Sequence, residues 1–401
     1  MRKVVKNLNT VNFDERMSRL GTESAFEIMA KANALAAQGH DMIHLEIGQP
    51  DFTTPKNIID AAYKAMLNGS TGYTNSQGIP ETRQAIADYI KRYKNVDADI
   101  DEIVVTPGAK PIMFYLMLAL CGPGDEVLYP NPGFPIYESC ISFTGAKAVP
   151  IPILQENNFR IDIEGLKKLI NKKTKLIIIN SPQNPTGGVL RRSDIEQIAE
   201  VIRSSGSDTY ILSDEVYDRL VFTGEKPFSI KSIPDMKERT ILLDGFSKTY
   251  AMTGWRLGYG VMNKELAAAL TLLVINSASC AAAFTQIAAI EALTGPQDEP
   301  ERMKAAFLER ATYMVNALND VKGIDCLMPD GTFYVFPSIE KLGIDCRTFA
   351  DRLMTEADIA ACAGTAFGSY GEGHIRLSVA NSLENIKRAS ERIAKFVKNN
   401  F

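Results

Sequence analysis

The sequence predicts an α/β protein: a large unit with a mostly parallel central sheet flanked by helices, plus a smaller α+β unit. Three observations carry this. Segments of helical period alternate with short β-rich runs along most of the chain. Runs such as Leu176-Ile-Ile-Ile179 are apolar without alternation, as strands covered on both faces must be. After about Gly295 the pattern shifts to long helices and isolated short strands.

Taken in order, a helix is expected over 24–38, and Asp41 to Leu45 begins a strand. Further strands are expected at 103–106, 126–129, 148–151, 176–180, 210–214, 240–245 and 258–261, with helices between them such as 110–120, 192–204 and 264–277. The most apolar tract, 266–293, is Ala-rich and interrupted by Asn276, Ser277, Ser279 and Gln286. A membrane span needs about 20 predominantly apolar residues, so this tract reads as buried helix. A polar hinge, Gly295-Pro-Gln-Asp-Glu-Pro300, leads into a helix over 301–321, strands at 332–336 and 374–378, and a closing helix over 383–398. The expected large domain is therefore 48–295, and the small one is built from both ends, 1–47 and 296–401.

Composition narrows the class. The 401 residues carry 44 Lys+Arg against 48 Asp+Glu, a net charge of −4, with no basic tract for a nucleic-acid backbone. A hydrophobic content of 45% argues against disorder. Six scattered cysteines without a C-x-x-C spacing suit buried thiols of a reducing compartment. His40 and His44 share an i,i+4 spacing, but on a strand start rather than a helix, so no metal site is expected. The stretch 1–12 is polar and shows no signal peptide, which makes a cytoplasmic location the expectation.

Four motifs carry chemistry. The most specific is Ser247-Lys248-Thr-Tyr-Ala-Met-Thr-Gly-Trp255-Arg256-Leu-Gly258, directly after a β-rich run. A lone lysine there would be an ordinary solvated loop residue, but Ser247 adjoins it and Arg256 follows in a Gly-flanked context. A nucleotide-binding loop is ruled out, because Ser247 stands where that loop requires Gly. The others are Asn180-Ser-Pro-Gln-Asn184-Pro185-Thr186-Gly187, Ser213-Asp214-Glu215-Val-Tyr217 and Thr106-Pro-Gly108-Ala109-Lys110-Pro. Singly they read as a turn, a helix cap and packing at a helix start. Jointly they put polar groups at the carboxyl ends of several parallel strands, where ligands bind in open α/β sheets.

With these motifs in this order, the chain resembles the class I/II aminotransferases of fold type I, the aspartate aminotransferase superfamily, from about Arg16 to Phe396. The resemblance implies pyridoxal 5′-phosphate as cofactor and a ping-pong transfer of the amino group of an L-amino acid (aspartate, aromatic or alanine type) to a 2-oxo acid such as 2-oxoglutarate. It makes Lys248 the lysine that joins the cofactor and shuttles the Cα proton, and Asp214 the partner of the pyridine nitrogen. Asn184 and Tyr217 match residues at the ring's phenolic oxygen, and Phe134 the aromatic stacked on the ring, where relatives usually carry Tyr or Trp.

The phosphate would lie against Gly108, Ala109, Lys110, Ser247 and Arg256, with Gly245 standing where relatives often have Ser or Thr. Tyr73 matches a tyrosine that reaches the neighbouring subunit's phosphate, which implies a homodimer. Arg376, with Gly48 and Asn184, would hold the substrate α-carboxylate. The segment 19–26 is expected to lid the pocket and 277–281 to line it. The same scaffold could instead run a carbon–sulfur β-lyase or an aminocyclopropane-carboxylate-synthase-like reaction. A non-catalytic cofactor-binding regulator would need a DNA-binding helix pair ahead of this region, which 45 residues without basic clustering do not supply.

Overall fold

The central sheet explains why so many strands are apolar along their whole length. The computed structural model describes residues 11–401; the segment 1–10, most of the polar stretch 1–12, lies outside the described residues. Its strands are β1 (Ile43–His44), β2 (Ile103–Thr106), β3 (Glu126–Asn131), β4 (Lys147–Pro152), β5 (Thr174–Asn180), β6 (Tyr210–Asp214), β7 (Thr240–Gly245), β8 (Gly258–Val261), β9 (Tyr334–Val335), β10 (Ile359–Ala360), β11 (Cys362–Ala363) and β12 (Ile375–Ser378).

Seven of them form one sheet in the order β2-β8-β7-β6-β5-β3-β4. β8 runs antiparallel to both neighbours and every other pair is parallel. Along β5, Leu176 and Ile178 enter one core while Ile177 and Ile179 enter the core on the opposite face. Both faces are covered, so the alternation of a half-buried strand is absent.

The helices are α1 (Ser24–Ala36), α2 (Lys56–Leu67), α3 (Pro80–Lys94), α4 (Lys110–Leu120), α5 (Ile136–Thr144), α6 (Ile163–Leu169), α7 (Arg192–Ser204), α8 (Lys264–Ile275), α9 (Ala283–Thr294), α10 (Asp298–Asn319), α11 (Cys346–Ala357) and α12 (Leu383–Asn400). On one face, α4, α5 and α8 contribute Ile112, Leu116, Ile141 and Leu270; on the other, α3 and α9 contribute Ile86, Ile90 and Ala288, and α7 contributes Ile198 and Ile202.

Several expected limits move, for local reasons. The apolar tract 266–293 is two helices, because Asn276 ends α8 and Ser279 adopts a left-handed φ of 62°. α10 begins three residues before the expected start at 301, which shortens the hinge. Pro300 fits its first turn, where a missing N–H costs nothing, and Asp298, Glu299 and Glu301 face the positive end of the helix dipole. The strand expected over 332–336 contracts to Tyr334–Val335, since Thr332 has a φ of 68°.

β1 pairs with β10 rather than with the central sheet, and β11, β12 and β9 form a separate antiparallel sheet. Ile43 and Leu45 share a core with Met303, Phe307, Leu353, Leu377 and Ile393, so both chain ends pack together. His40 and His44 each meet a carboxylate, of Asp358 at 2.7 Å and Glu46 at 2.8 Å. Among the described residues no His, Cys, Asp and Glu cluster suits a metal, and no helix is long and apolar enough to cross a membrane.

One buried charge cluster supports the strand ends. Lys94, the last residue of α3 and 3% exposed, places Nζ 2.8–3.0 Å from the carboxylates of Glu215, Asp218 and Asp244. Burial pushes the Asp244 carboxyl up to about 7, against the pull of Lys94. Removing the cation strands three buried carboxylates. Lys94→Met is therefore expected to lower stability by about 3–5 kcal/mol, read from chemical denaturation. A loss under about 1 kcal/mol would mean that the cluster is not held by this lysine.

Candidate active site

The carboxyl ends of the parallel strands meet at a cavity of about 650 Å³. Asn180 ends β5, Asp214 ends β6 and Gly245 ends β7, and the loop after β2 delivers Ala109 and Lys110 at the start of α4. Eleven of the thirteen residues singled out from the sequence line it: Gly48, Ala109, Lys110, Phe134, Asn184, Asp214, Tyr217, Ser247, Lys248, Arg256 and Arg376.

Gly108 stands just behind the wall with a φ of +91°, and a Cβ there would run into the Arg256 guanidinium. Tyr73 is elsewhere; it is 91% exposed on the outer surface. From the expected lid, Glu23, Ala25 and Phe26 line the cavity. The segment 277–281 does not, which corrects that expectation. After α8 the chain turns toward the loop before α3: Cys280 Sγ accepts the Thr74 N–H, and Ala281 is buried in the core with α3 and α9.

Lys248 follows β7 and reaches into the cavity half-buried, its Nζ donating to the Gly48 carbonyl oxygen at 2.5 Å. Burial first, then the cations of Arg376, Lys110 and Arg256, lower its amine to about 8, with Glu23 opposing. That raises the share of the neutral, nucleophilic amine well above that of an ordinary lysine near physiological pH.

Asp214 is buried, accepts the Tyr137 hydroxyl at 2.6 Å through Oδ2, and takes the Val216 N–H through Oδ1 at 3.4 Å. Burial raises its carboxyl to about 6, and those two hydrogen bonds limit the rise. Tyr217 and Tyr334 join hydroxyls at 3.0 Å. Tyr137 and Tyr334 both line the cavity, and neither was anticipated. Tyr137 sits in the stretch Phe134-Pro-Ile-Tyr137, but nothing there signals that its hydroxyl meets an acid 77 positions away.

Arg376, on β12, is 4% exposed and lies 4.4 Å and 4.6 Å from the ring centroids of Tyr334 and Phe367. Its guanidinium donates to Asn184 Oδ1 at 3.1 Å and to the Glu46 carbonyl oxygen, while Nε has no partner among the described residues. No described carboxylate pairs with it. A buried cation so placed calls for an anionic ligand. Near α4, Gly258 lies so close that a Cβ would come within 2.5 Å of the Ala109 nitrogen. Small residues thus leave the start of α4 open beside Ser247 and Arg256, as an anion cradle requires. Four cations (Lys110, Lys248, Arg256, Arg376) face two acids (Glu23, Asp214) in one cavity.

The profile of the family "Aminotransferase class I and II" matches residues 40–393. The chain belongs to the class I and II aminotransferases. It is 40% identical to an aspartate aminotransferase of Bacillus sp. (strain YM-2) over 389 residues, covering 96% of this chain and 98% of that one. Among solved structures it is similar to the Thermus thermophilus aspartate aminotransferase with maleate (TM-score 0.91, 34% identity, 96% and 99% of the two chains). It is also similar to the aromatic aminotransferase of Pyrococcus horikoshii (TM-score 0.87, 36% identity, 92% and 99% covered). This aminotransferase therefore has the mixed α/β fold of its relatives and moves an amino group between an L-amino acid and a 2-oxo acid.

Proposed function

We propose that this aminotransferase works with pyridoxal 5′-phosphate and takes aspartate among its donors, with 2-oxoglutarate as acceptor. The observation that carries the reading is the convergence of Lys248 with its lowered basicity, a buried Asp214 and a buried Arg376 without a paired carboxylate on one cavity. The residues fit the group: the glycine-lined start of α4 with Ser247 and Arg256 suits its phosphate, and the orphaned Arg376 Nε suits a carboxylate.

When bound, the cofactor supplies a sink for the electrons left at Cα. Asp214 would keep the pyridine nitrogen protonated, Asn184 and Tyr217 would hold the ring's phenolic oxygen, and Phe134 would offer it an aromatic surface. Arg376, with Gly48 and Asn184, fixes the α-carboxylate and so sets the Cα–H bond toward Lys248, which moves that proton.

The reading includes a homodimer in which the exposed Tyr73 reaches the neighbouring site, a cytoplasmic location in keeping with six free thiols, and a division into 48–295 and a unit of 1–47 with 296–401. That division is supported by the core that unites Ile43 with Ile393. A panel of L-amino acids with 2-oxoglutarate tests the reaction: glutamate should form in step with the donor's 2-oxo acid. Oxo acid and ammonia released without loss of 2-oxoglutarate would replace transamination by elimination.

A further inference from the structure

The cavity carries an ion pair between two side-chain charges that none of these roles uses, since the phosphate cradle draws on the backbone at the start of α4. Glu23, just before α1, sets Oε1 against Nζ of Lys110, the first residue of α4, and both line the cavity. The Glu23 side chain is 17% exposed and that of Lys110 47%, so the pair sits at the solvent-facing edge of the cavity. Glu23 makes no capping bond to α1 and is free of backbone duty. The Lys110 ammonium also stands 5.3 Å from the centroid of the Phe134 ring. Both residues line the same cavity as Lys248, Arg376 and Tyr334.

A transaminase must admit, in one site, two substrates that share Cα, amine and α-carboxylate but differ in side chain. With the α-carboxylate on Arg376 and Cα beside Lys248, the substrate side chain falls to the rest of the lining, which includes Glu23, Ala25, Phe26, Ile47 and, as the one cation among these five, Lys110. The protein has already given that cation a carboxylate.

We propose that Glu23 is a specificity-determining residue: paired with Lys110, it fills the place of a substrate's second carboxylate. Uncharged side chains enter a wall that is already neutral, and dicarboxylic substrates enter only by displacing Glu23. This inference rests on the transamination reading above.

The test uses the holoenzyme with Glu23→Gln and Glu23→Ala. Each donor, aspartate or phenylalanine, is mixed with it without acceptor, and the second-order rate of its conversion to the oxo acid is compared. Binding of succinate and of propionate is measured in parallel. Both variants are expected to raise the aspartate-to-phenylalanine ratio about tenfold or more, and to tighten succinate similarly while leaving propionate within about twofold. An unchanged or lowered ratio, with succinate binding unmoved, overturns the proposal. If wild type converts neither donor, the transamination reading fails instead, and the succinate-to-propionate comparison still decides the role of Glu23.

Discussion

Lys248→Ala is expected to reduce amino-group transfer by about 10⁴-fold, the upper range for loss of a positioned proton-transfer group, and to abolish covalent attachment of the cofactor. The fold should survive, because the Lys248 amine makes one hydrogen bond, to the Gly48 carbonyl. The same residue gives a pH signature. Its amine is lowered to about 8 by burial and by Arg376, so in cofactor-free protein the neutral, reactive form accumulates as pH rises through that value. Covalent capture of pyridoxal phosphate by the cofactor-free enzyme should therefore reach half its maximal rate near pH 8. A midpoint near the ordinary lysine value of 10.5 would show that the cavity does not perturb this amine.

Asp214→Asn separates stability from function. The variant cannot hold a proton on the pyridine nitrogen as a fixed negative charge does, and turnover should fall by about 10²–10³-fold. Stability of the cofactor-free protein should move the other way. Burial raises the native carboxyl from 3.8 to about 6, so between these values the folded state binds more protons than the unfolded chain. Stability consequently falls as pH rises through that window, and above pH 6 the ionised, buried carboxylate costs about 3 kcal/mol. Asparagine keeps an acceptor for the Tyr137 hydroxyl and carries no charge. The melting temperature of the cofactor-free variant should exceed that of wild type at pH 7 and match it below pH 4. Equal melting temperatures at pH 7 would show that Asp214 carries no such strain.

Much of this was legible in the chain. All seven strands of the central sheet lie within two residues of their expected limits, because continuous apolar runs bounded by turn residues are a local signal. The motif residues were legible for the same reason, each sitting within a short window at a strand end. Helix boundaries were less so: Pro300 reads as a breaker until its place in a first turn is known. The segment 277–281 was misplaced because its direction depends on contacts with Thr74 and α9. The hydroxyl partners Tyr137 of Asp214 and Tyr334 of Tyr217 were invisible, since a tyrosine in a strand or helix is usually core.

Which segments are buried strands, which residues stand at their carboxyl ends and which family the motifs spell can all be read along the chain. Strand order, the lowered basicity of Lys248, the burial of Arg376 without a paired carboxylate, and the pairing of Glu23 with a lysine 87 positions away emerge only once the chain is packed. The reason is physical. Burial patterns and turn chemistry act over a few residues, whereas a side chain's charge state is set by what distant segments bring against it and how much water they exclude.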